Sequence, residues 1–510
     1  MKSYHHPIVL TTLLAGIATL FPSPVVGQSR AELTPARLAL LKSTLDSMVS
    51  ARAPADSFSG VVLVSKAGSV VYSRAVGLSN KERAIPNTLD TRFNLGSANK
   101  MFTAVAIGQL LEQGKLRLTD TVGRLIPDFA NRAVATRVTV QDLLTHRSGL
   151  GSFFANPDFR RRRDQLATID DYVSLFAADT LAFTPGTRFR YSNSGFVVLG
   201  KIVERLSGEN YFDYIRRHVL APAGMRHTDF DDRHRDGDFA IGYTSLSADG
   251  SAAPSSRHRN DDAGELRGSP AGGAYSSAPD LVLFARALWS GKLLKPETVA
   301  LFTTGKVAMG PQIKYAFGFG EMIVNGIRDV GHNGGLPGGN AEFASYPDLD
   351  CVVVVLSNYD APSGATPVIM KIRDLIFFPD GGAPRIEMAT GPAPLATQGA
   401  AQPLDRLDTP AARTARAYIE AFNSKDLESM RRFIVERSLP NPTRTVEERL
   451  DRYRQMRADL GTLTAVSATA ASPGQLIVAV KAGSGDEVSL TFDVETDAPN
   501  RLKSLRVEAR

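Results

Sequence analysis

Residues 93 to 116 read FNLGSANKMFTAVAIGQLLEQGKL. From Met101 to Leu111 almost every residue is apolar, which predicts a helix buried on most sides. Lys100 stands at the entrance of that helix, three residues after Ser97. Residues three apart on a helix share a face, so the two side chains are within reach of one another. A serine hydroxyl is a poor nucleophile until a neighbour removes its proton. A lysine pressed into apolar surroundings loses hydration, and its pKa falls by as much as ~3–5 units when fully buried. The helix N-terminus adds partial positive charge and free backbone N–H groups, which favour an oxyanion. The stretch therefore reads as a nucleophile with a built-in base. Lys100 is the only lysine in the chain with a serine three residues before it. The competing reading is a lysine that snorkels to the surface.

Two further segments carry polar groups that suit the same chemistry. In FRYSNSGFVVLGKIVERL, Tyr191, Ser192 and Asn193 precede an apolar helix running from Phe196 to Leu206. Tyr191 offers a phenol for proton transfer, and Asn193 offers an amide to a substrate carbonyl. Taken alone, the segment reads rather as a Ser/Asn helix cap with a packed aromatic. In DVGHNGGLPGGNAEF, a strand carrying Val330 runs into a glycine-dense segment with His332 at its end. Glycines there let a backbone approach closely and present N–H groups to a ligand.

Working outward, the apolar periodicity predicts a helix from Pro35 to Arg52, then a hairpin in SGVVLVSKAGSVVYSRAVG. The middle of the chain, roughly 120 to 300, reads as helices and long loops. VTVQDLLTHRSGL predicts a helix from Thr139 to Gly149, and DLVLFARALWSGKLL another, with Ser277 and Asp280 as capping candidates. Strand character returns in YAFGFGEMIV, IRDVGHNGG, NAEFASYP and CVVVVLSNYD, followed by a helix from Ala365 to Phe377. This order predicts an α+β fold: one antiparallel sheet flanked by helices and completed by both ends of the domain, with an all-α lobe inserted. Residues 379–410 shift to Pro, Gly and Ala and read as a linker. Residues 411–510 read as a smaller α+β module. It has helices in AARTARAYIEAFNSKDLESMRRFI and from Thr445, where Thr445 and Glu448 have capping-box spacing. Strands follow in QLIVAV, EVSLTFDV and LKSLRVEA.

The bulk numbers narrow the class. With 510 residues, 43% of them hydrophobic and 22% charged, the chain is long enough for a catalytic body and an accessory piece. The net charge of +6 is mild for this length. The densest basic run, Arg160 to Arg163, reads as a solvated loop, since no nucleic-acid motif or aromatic platform accompanies it; the alternative is contact with an anionic surface such as lipid headgroups or cell-wall polymer. Residues 1–27 read as a secretory signal: Lys2, an apolar run from Pro7 to Phe21, then small Val25 and Gly27 before a mature start near Gln28. An uncleaved anchor is the alternative. The expected location is periplasmic or secreted, with no membrane span after cleavage. The single cysteine, Cys351, excludes an intrachain disulfide and a Cys-based zinc cluster, and reads as a buried strand residue.

Ser97-x-x-Lys100, then Tyr191-x-Asn193, then His332-x-Gly334, in that order, resembles the serine β-lactamase and penicillin-binding superfamily. The branch it is most similar to holds class C β-lactamases, DD-peptidases, D-aminopeptidases and related esterases. LLTHRSGL, FTPGTRFRYSNSGF, SPAGGAYSSAPDL and YAFGFG carry the likeness further, over roughly Leu38 to Phe378. The resemblance implies a hydrolase domain over residues 28–378 that works through a covalent acyl-enzyme, with no cofactor and no metal. It implies Ser97 as nucleophile, Lys100 as its deprotonating partner, and Tyr191 as general base and then acid. Asn193 would hold the substrate amide. His332 stands where most β-lactamases carry lysine, and Gly334 keeps the strand open. The N–H groups of Ser97 and Gly335 would form the oxyanion hole. Histidine in place of lysine weakens the case for a β-lactam carboxylate and favours esters or D-amino-acid compounds. The partners implied are a small acyl substrate or a cell-wall peptide, and no nucleic acid. A penicillin-recognising sensor with little turnover is the alternative. The C-terminal module resembles NTF2/SnoaL-like domains.

Other chemistries lack their signatures. There is no Gly-x-Ser-x-Gly, no His-Glu-x-x-His, no P-loop and no dinucleotide fingerprint. His146, His218, His227, His234 and His258 are scattered and read as structural or surface residues rather than ligands.

Overall fold

The computed structural model describes residues 32–52, 56–230, 238–245, 257–260, 268–310, 312–361, 363–378, 402–424, 426–439, 445–472, 474–485, 487–495 and 500–509. The expected signal at 1–27, most of the expected linker and His234 lie outside the described residues.

The larger sheet has eight strands. In chain order they are β1 (Gly60–Lys66), β2 (Ser69–Val76), β3 (Val307–Ala308), β4 (Ile313–Tyr315), β5 (Gly320–Val324), β6 (Ile327–Leu336), β7 (Gly339–Tyr346) and β8 (Cys351–Ser357). Their spatial order is β2-β1-β8-β7-β6-β5-β4-β3 and every pairing is antiparallel. The first hairpin therefore docks beside the last strand, with Val62 opposite Val355 and Val64 opposite Val353. Both ends of the domain close one sheet, as the sequence pattern predicts.

The unbroken apolar runs of β1 and β8 follow from helices on both faces. Side chains alternate along a strand. Val61, Leu63, Val354 and Leu356 join the core beneath α2 (Lys100–Glu112) and α4 (Ala278–Trp289). Val62, Val64, Val353 and Val355 join the opposite core, with Leu41 and Leu45 of α1 (Pro35–Arg52) and Ile369 and Ile372 of α5 (Thr366–Phe377). Cys351 lies in that second core, and burial pushes its thiol up to about 12.

Between β2 and β3 the chain makes the helical lobe that contains α2, α3 (Asn193–Ser207) and several shorter helices. Ser192 caps α3 by accepting from the Gly195 N–H at 2.9 Å. The helix expected over Thr139–Gly149 is shorter, covering Val140–Leu144. Thr139 and Asp142 form a capping box at its start. It ends because His146 takes a left-handed backbone, φ 56°, which turns the chain inward. The basic run is not a loop: Asn156 caps a short helix over Pro157–Arg162, where Arg161 pairs with Asp158 and Arg162 donates to Ser174.

The C-terminal elements have a core of their own. Three helices, α6 (Pro410–Asn423), α7 (Leu427–Arg437) and α8 (Val446–Leu460), accompany a four-stranded antiparallel meander. Its strands are β9 (Leu463–Ser472), β10 (Gln475–Ala482), β11 (Glu487–Val494) and β12 (Leu502–Ala509). Thr445 and Glu448 form the capping box of α8. The sequence reading placed strands only in the last three. LTAVSATAAS is rich in Ala, Ser and Thr, with no clean alternation to announce a strand. The end of the linker segment is also structured. Gln402 exchanges backbone hydrogen bonds with Ala468, and Leu404 is buried in this core. Among the described residues no helix is long and apolar enough to cross a membrane.

Candidate active site

Ser97 lies in a 3-10 turn, Gly96–Asn99, that leads directly into α2. That turn is pressed against β6. A Cβ added to Gly334 would fall 1.8 Å from the Leu95 carbonyl oxygen and 2.9 Å from the Ser97 nitrogen. One added to Gly96, where φ is 49°, would sit 3.0 Å from the Gly335 nitrogen. Only glycine permits this approach. Strand β5 pairs with β6 as far as Gly320 opposite Gly331, so His332 to Leu336 extend past it towards the Ser97 turn. Gly335 is solvent-exposed there and Ser97 is half-buried, so the reacting face of the site is open.

Lys100 is fully buried at the first turn of α2. Its Nζ donates to Ser97 Oγ at 3.1 Å, to Asn193 Oδ1 at 2.8 Å and to the Ala271 carbonyl. Asn193 Nδ2 donates to Ser152 Oγ at 3.0 Å, which fixes the direction of the amide. The Lys100 ammonium also lies 4.8 Å from the Tyr191 ring centroid and 5.4 Å from that of Phe196. The Tyr191 ring is partly exposed, but its hydroxyl oxygen is buried and has no partner at hydrogen-bond geometry among the described residues. Burial pushes the phenol well above its usual range, and the neighbouring Ser97 hydroxyl opposes that rise. Ser97 and Tyr191 are neighbours, not partners at hydrogen-bond distance and angle.

His332 is 9% exposed and sits midway along β6, one residue past the last pairing with β5. Its Nδ1 is 2.6 Å from the Asn333 carbonyl oxygen, which can only accept, so the ring proton is on Nδ1. Nε2 then accepts from the Tyr315 hydroxyl at 3.0 Å. Burial, with the Lys100 cation nearby, lowers the imidazole pKa to about 3. His332 therefore presents no positive charge at neutral pH. Tyr315 is itself buried and its phenol is held well above the usual value.

The structure thus brings Ser97, Lys100, Tyr191, Asn193, His332, Gly334 and Gly335 into one place. Two residues of the cluster escaped the sequence reading. Tyr315 was legible only as the first residue of YAFGFG. His146 was grouped with the scattered histidines, yet it is fully buried beside Tyr191, with ring centroids 4.1 Å apart. The remaining histidines, His218, His227 and His258, take no part in the hydrogen bonds or ring contacts of this cluster. Among the described residues no group of three or more His, Cys, Asp or Glu side chains stands together to hold a metal ion.

A family model described as Beta-lactamase matches residues 45–375. The chain is 31% identical to penicillin-binding protein 4* of Bacillus subtilis (strain 168) over 337 residues, spanning 63% of this chain and 72% of that protein. It is 28% identical to esterase EstB of Burkholderia gladioli over 358 residues, spanning 62% of this chain and 90% of that protein. The octameric penicillin-binding protein homologue from Pyrococcus abyssi shares the fold: the TM-score is 0.59 at 21% identity, over 92% of this chain and 98% of that one.

Proposed function

The chain belongs to the β-lactamase family of serine hydrolases, and on that premise we propose that it cleaves small neutral esters and D-amino-acid amides or peptides through an acyl-enzyme on Ser97. The observation that carries this reading is the buried Lys100 side chain, whose Nζ lies 3.1 Å from Ser97 Oγ, three residues on, where the 3-10 turn enters α2.

The roles follow from the contacts. Lys100, in its neutral form, takes the Ser97 hydroxyl proton as Oγ attacks the acyl carbon. The oxyanion that forms points at the N–H groups of Ser97 and Gly335. The bond to the leaving alkoxide or amine then breaks. Tyr191 delivers a proton to that group and is resupplied from Lys100. The raised pKa of the phenol suits a neutral proton relay better than a standing phenolate. Water attacks the Ser97 ester by the same route in reverse, releasing the acid and returning the proton to Oγ. Asn193 orients Lys100 through Oδ1. The amide group that would reach a substrate carbonyl is turned towards Ser152 and must swing to do so.

Substrate choice rests on His332. A neutral imidazole makes no ion pair with the carboxylate of a β-lactam or a peptide terminus, which favours uncharged acyl compounds. Residues 1–27 are proposed as an export signal delivering the enzyme to the periplasm or the medium. Residues 28–378 are proposed as the hydrolase, and 411–510 as an NTF2-like accessory domain.

The test is steady-state turnover of p-nitrophenyl butyrate, D-alanine p-nitroanilide and nitrocefin, with Ser97→Ala as control. Repeated Ser97-dependent release from the ester and anilide, faster than from nitrocefin, is expected. Release of a single equivalent without turnover would make the chain a recognition protein instead.

A further inference from the structure

Tyr191 has one unusual feature of support. The residues on either side of it both donate their backbone N–H to the same partner. The Arg190 N–H donates to the His146 carbonyl oxygen at 2.9 Å, and the Ser192 N–H donates to His146 Nδ1 at 3.0 Å. The His146 ring lies against the Tyr191 ring, 4.1 Å between centroids and 35° between planes. It also touches Tyr315 at 4.5 Å and Phe196 at 5.2 Å, so it fills the space behind the phenol. One residue thus holds the tyrosine by main chain, side chain and ring face.

From these contacts we infer that His146 is the positioning residue that sets the Tyr191 hydroxyl against Ser97 and Lys100. The inference rests on the hydrolase reading above and adds a residue to it. Three observations set His146 apart from a histidine that merely fills a core. It sits at φ 56°, a backbone conformation disfavoured for L residues, and that turn aims its imidazole at the 190–192 segment. Its Nδ1 accepts, so the proton is on Nε2, which has no partner among the described residues. A buried N–H left unmatched costs stability, and here the ring is kept in the orientation that serves Ser192. Burial, with Lys100 and His332 nearby, keeps the imidazole pKa well below its usual value, so the acceptor persists at neutral pH. Ser192 also caps α3, so its N–H bond to His146 ties the register of that helix to the LTHRSGL turn.

The experiment uses the full chain with p-nitrophenyl butyrate and compares His146→Gly with His146→Asn, each also made in a Tyr191→Phe background. Gly and Asn both accept the left-handed backbone, so they differ in the acceptor rather than in strain. A misplacement of ~1 Å costs on the order of 10²-fold in rate. His146→Gly is therefore expected to lower kcat about 100-fold with KM within about twofold. His146→Asn, whose Oδ1 replaces Nδ1, should stay within about fivefold of wild type. In the Tyr191→Phe background the two should differ little, because no hydroxyl remains to be placed. Equal kcat for Gly and Asn, or the same Gly-to-Asn ratio with and without the Tyr191 hydroxyl, would overturn the inference while leaving the hydrolase reading intact. If His146→Gly does not fold, His146→Asn decides: a 100-fold loss at wild-type Tm overturns it. Absence of Ser97-dependent turnover in the wild type would bring down the hydrolase reading and this inference with it.

Discussion

Two cations are buried on opposite faces of the same sheet, and they are treated differently. Arg373, on α5, donates to Asp329 at 2.8 Å and lies 4.0 Å from Glu342. Lys100, on α2, donates to a hydroxyl, an amide oxygen and a backbone carbonyl. The first cation is answered by carboxylates, which hold it charged; burial raises both acids and the guanidinium pulls them back. The oxygens around Lys100 are uncharged. A structural charge is pinned by an opposite charge. The one beside the nucleophile is placed among dipoles.

The contrast can be broken at either end. Arg373→Met should be the most damaging change to stability, because it strands two buried carboxyls. About 3–5 kcal/mol is expected, read by urea denaturation at neutral pH. A loss below about 1 kcal/mol would mean the two acids are not in fact held by that cation. Tyr191→Phe should leave Tm unchanged and lower kcat for p-nitrophenyl butyrate by about 10²–10⁴-fold, the range of a lost proton donor. Gly334→Ala comes next: its Cβ would meet the Leu95 carbonyl at 1.8 Å, so β6 must draw back from Ser97. A fall in kcat/KM on the order of 10²-fold is expected. The smallest effect concerns pH. The folded-state pKa of His332 is depressed to about 3, so between there and its ordinary value near 6.5 the unfolded chain holds more protons. Stability therefore rises with pH across that window and is lost as pH falls through it. His332→Gln should lose less stability than wild type between pH 7 and pH 4 in denaturant titrations.

The same contrast explains what was legible in the sequence. Ser97 and Lys100 could be read because their contact is local, set by three residues of helix. The sheet could be read because CVVVVLS and GVVLVS have the unbroken apolarity of strands covered on both faces. His146 and Tyr315 could not. Their partners, Ser192 and His332, lie 46 and 17 residues away, and nothing in LTHRSGL or YAFGFG announces which way a ring will turn. The short helix at Val140–Leu144 was overextended for a related reason. A histidine gives no warning that it will adopt the left-handed backbone that ends the helix. Strand β9 was missed because its small residues carry little pattern of their own.

Covalent labelling addresses the Ser97–Lys100 pair itself. Wild-type chain and Lys100→Met are treated with a fluorophosphonate, digested, and mapped by peptide mass. A single adduct on Ser97 in the wild type, and labelling slowed by about 10²–10⁴-fold in a folded Lys100→Met, is the expected result. An adduct on another residue, or labelling of Lys100→Met at the wild-type rate, would contradict it.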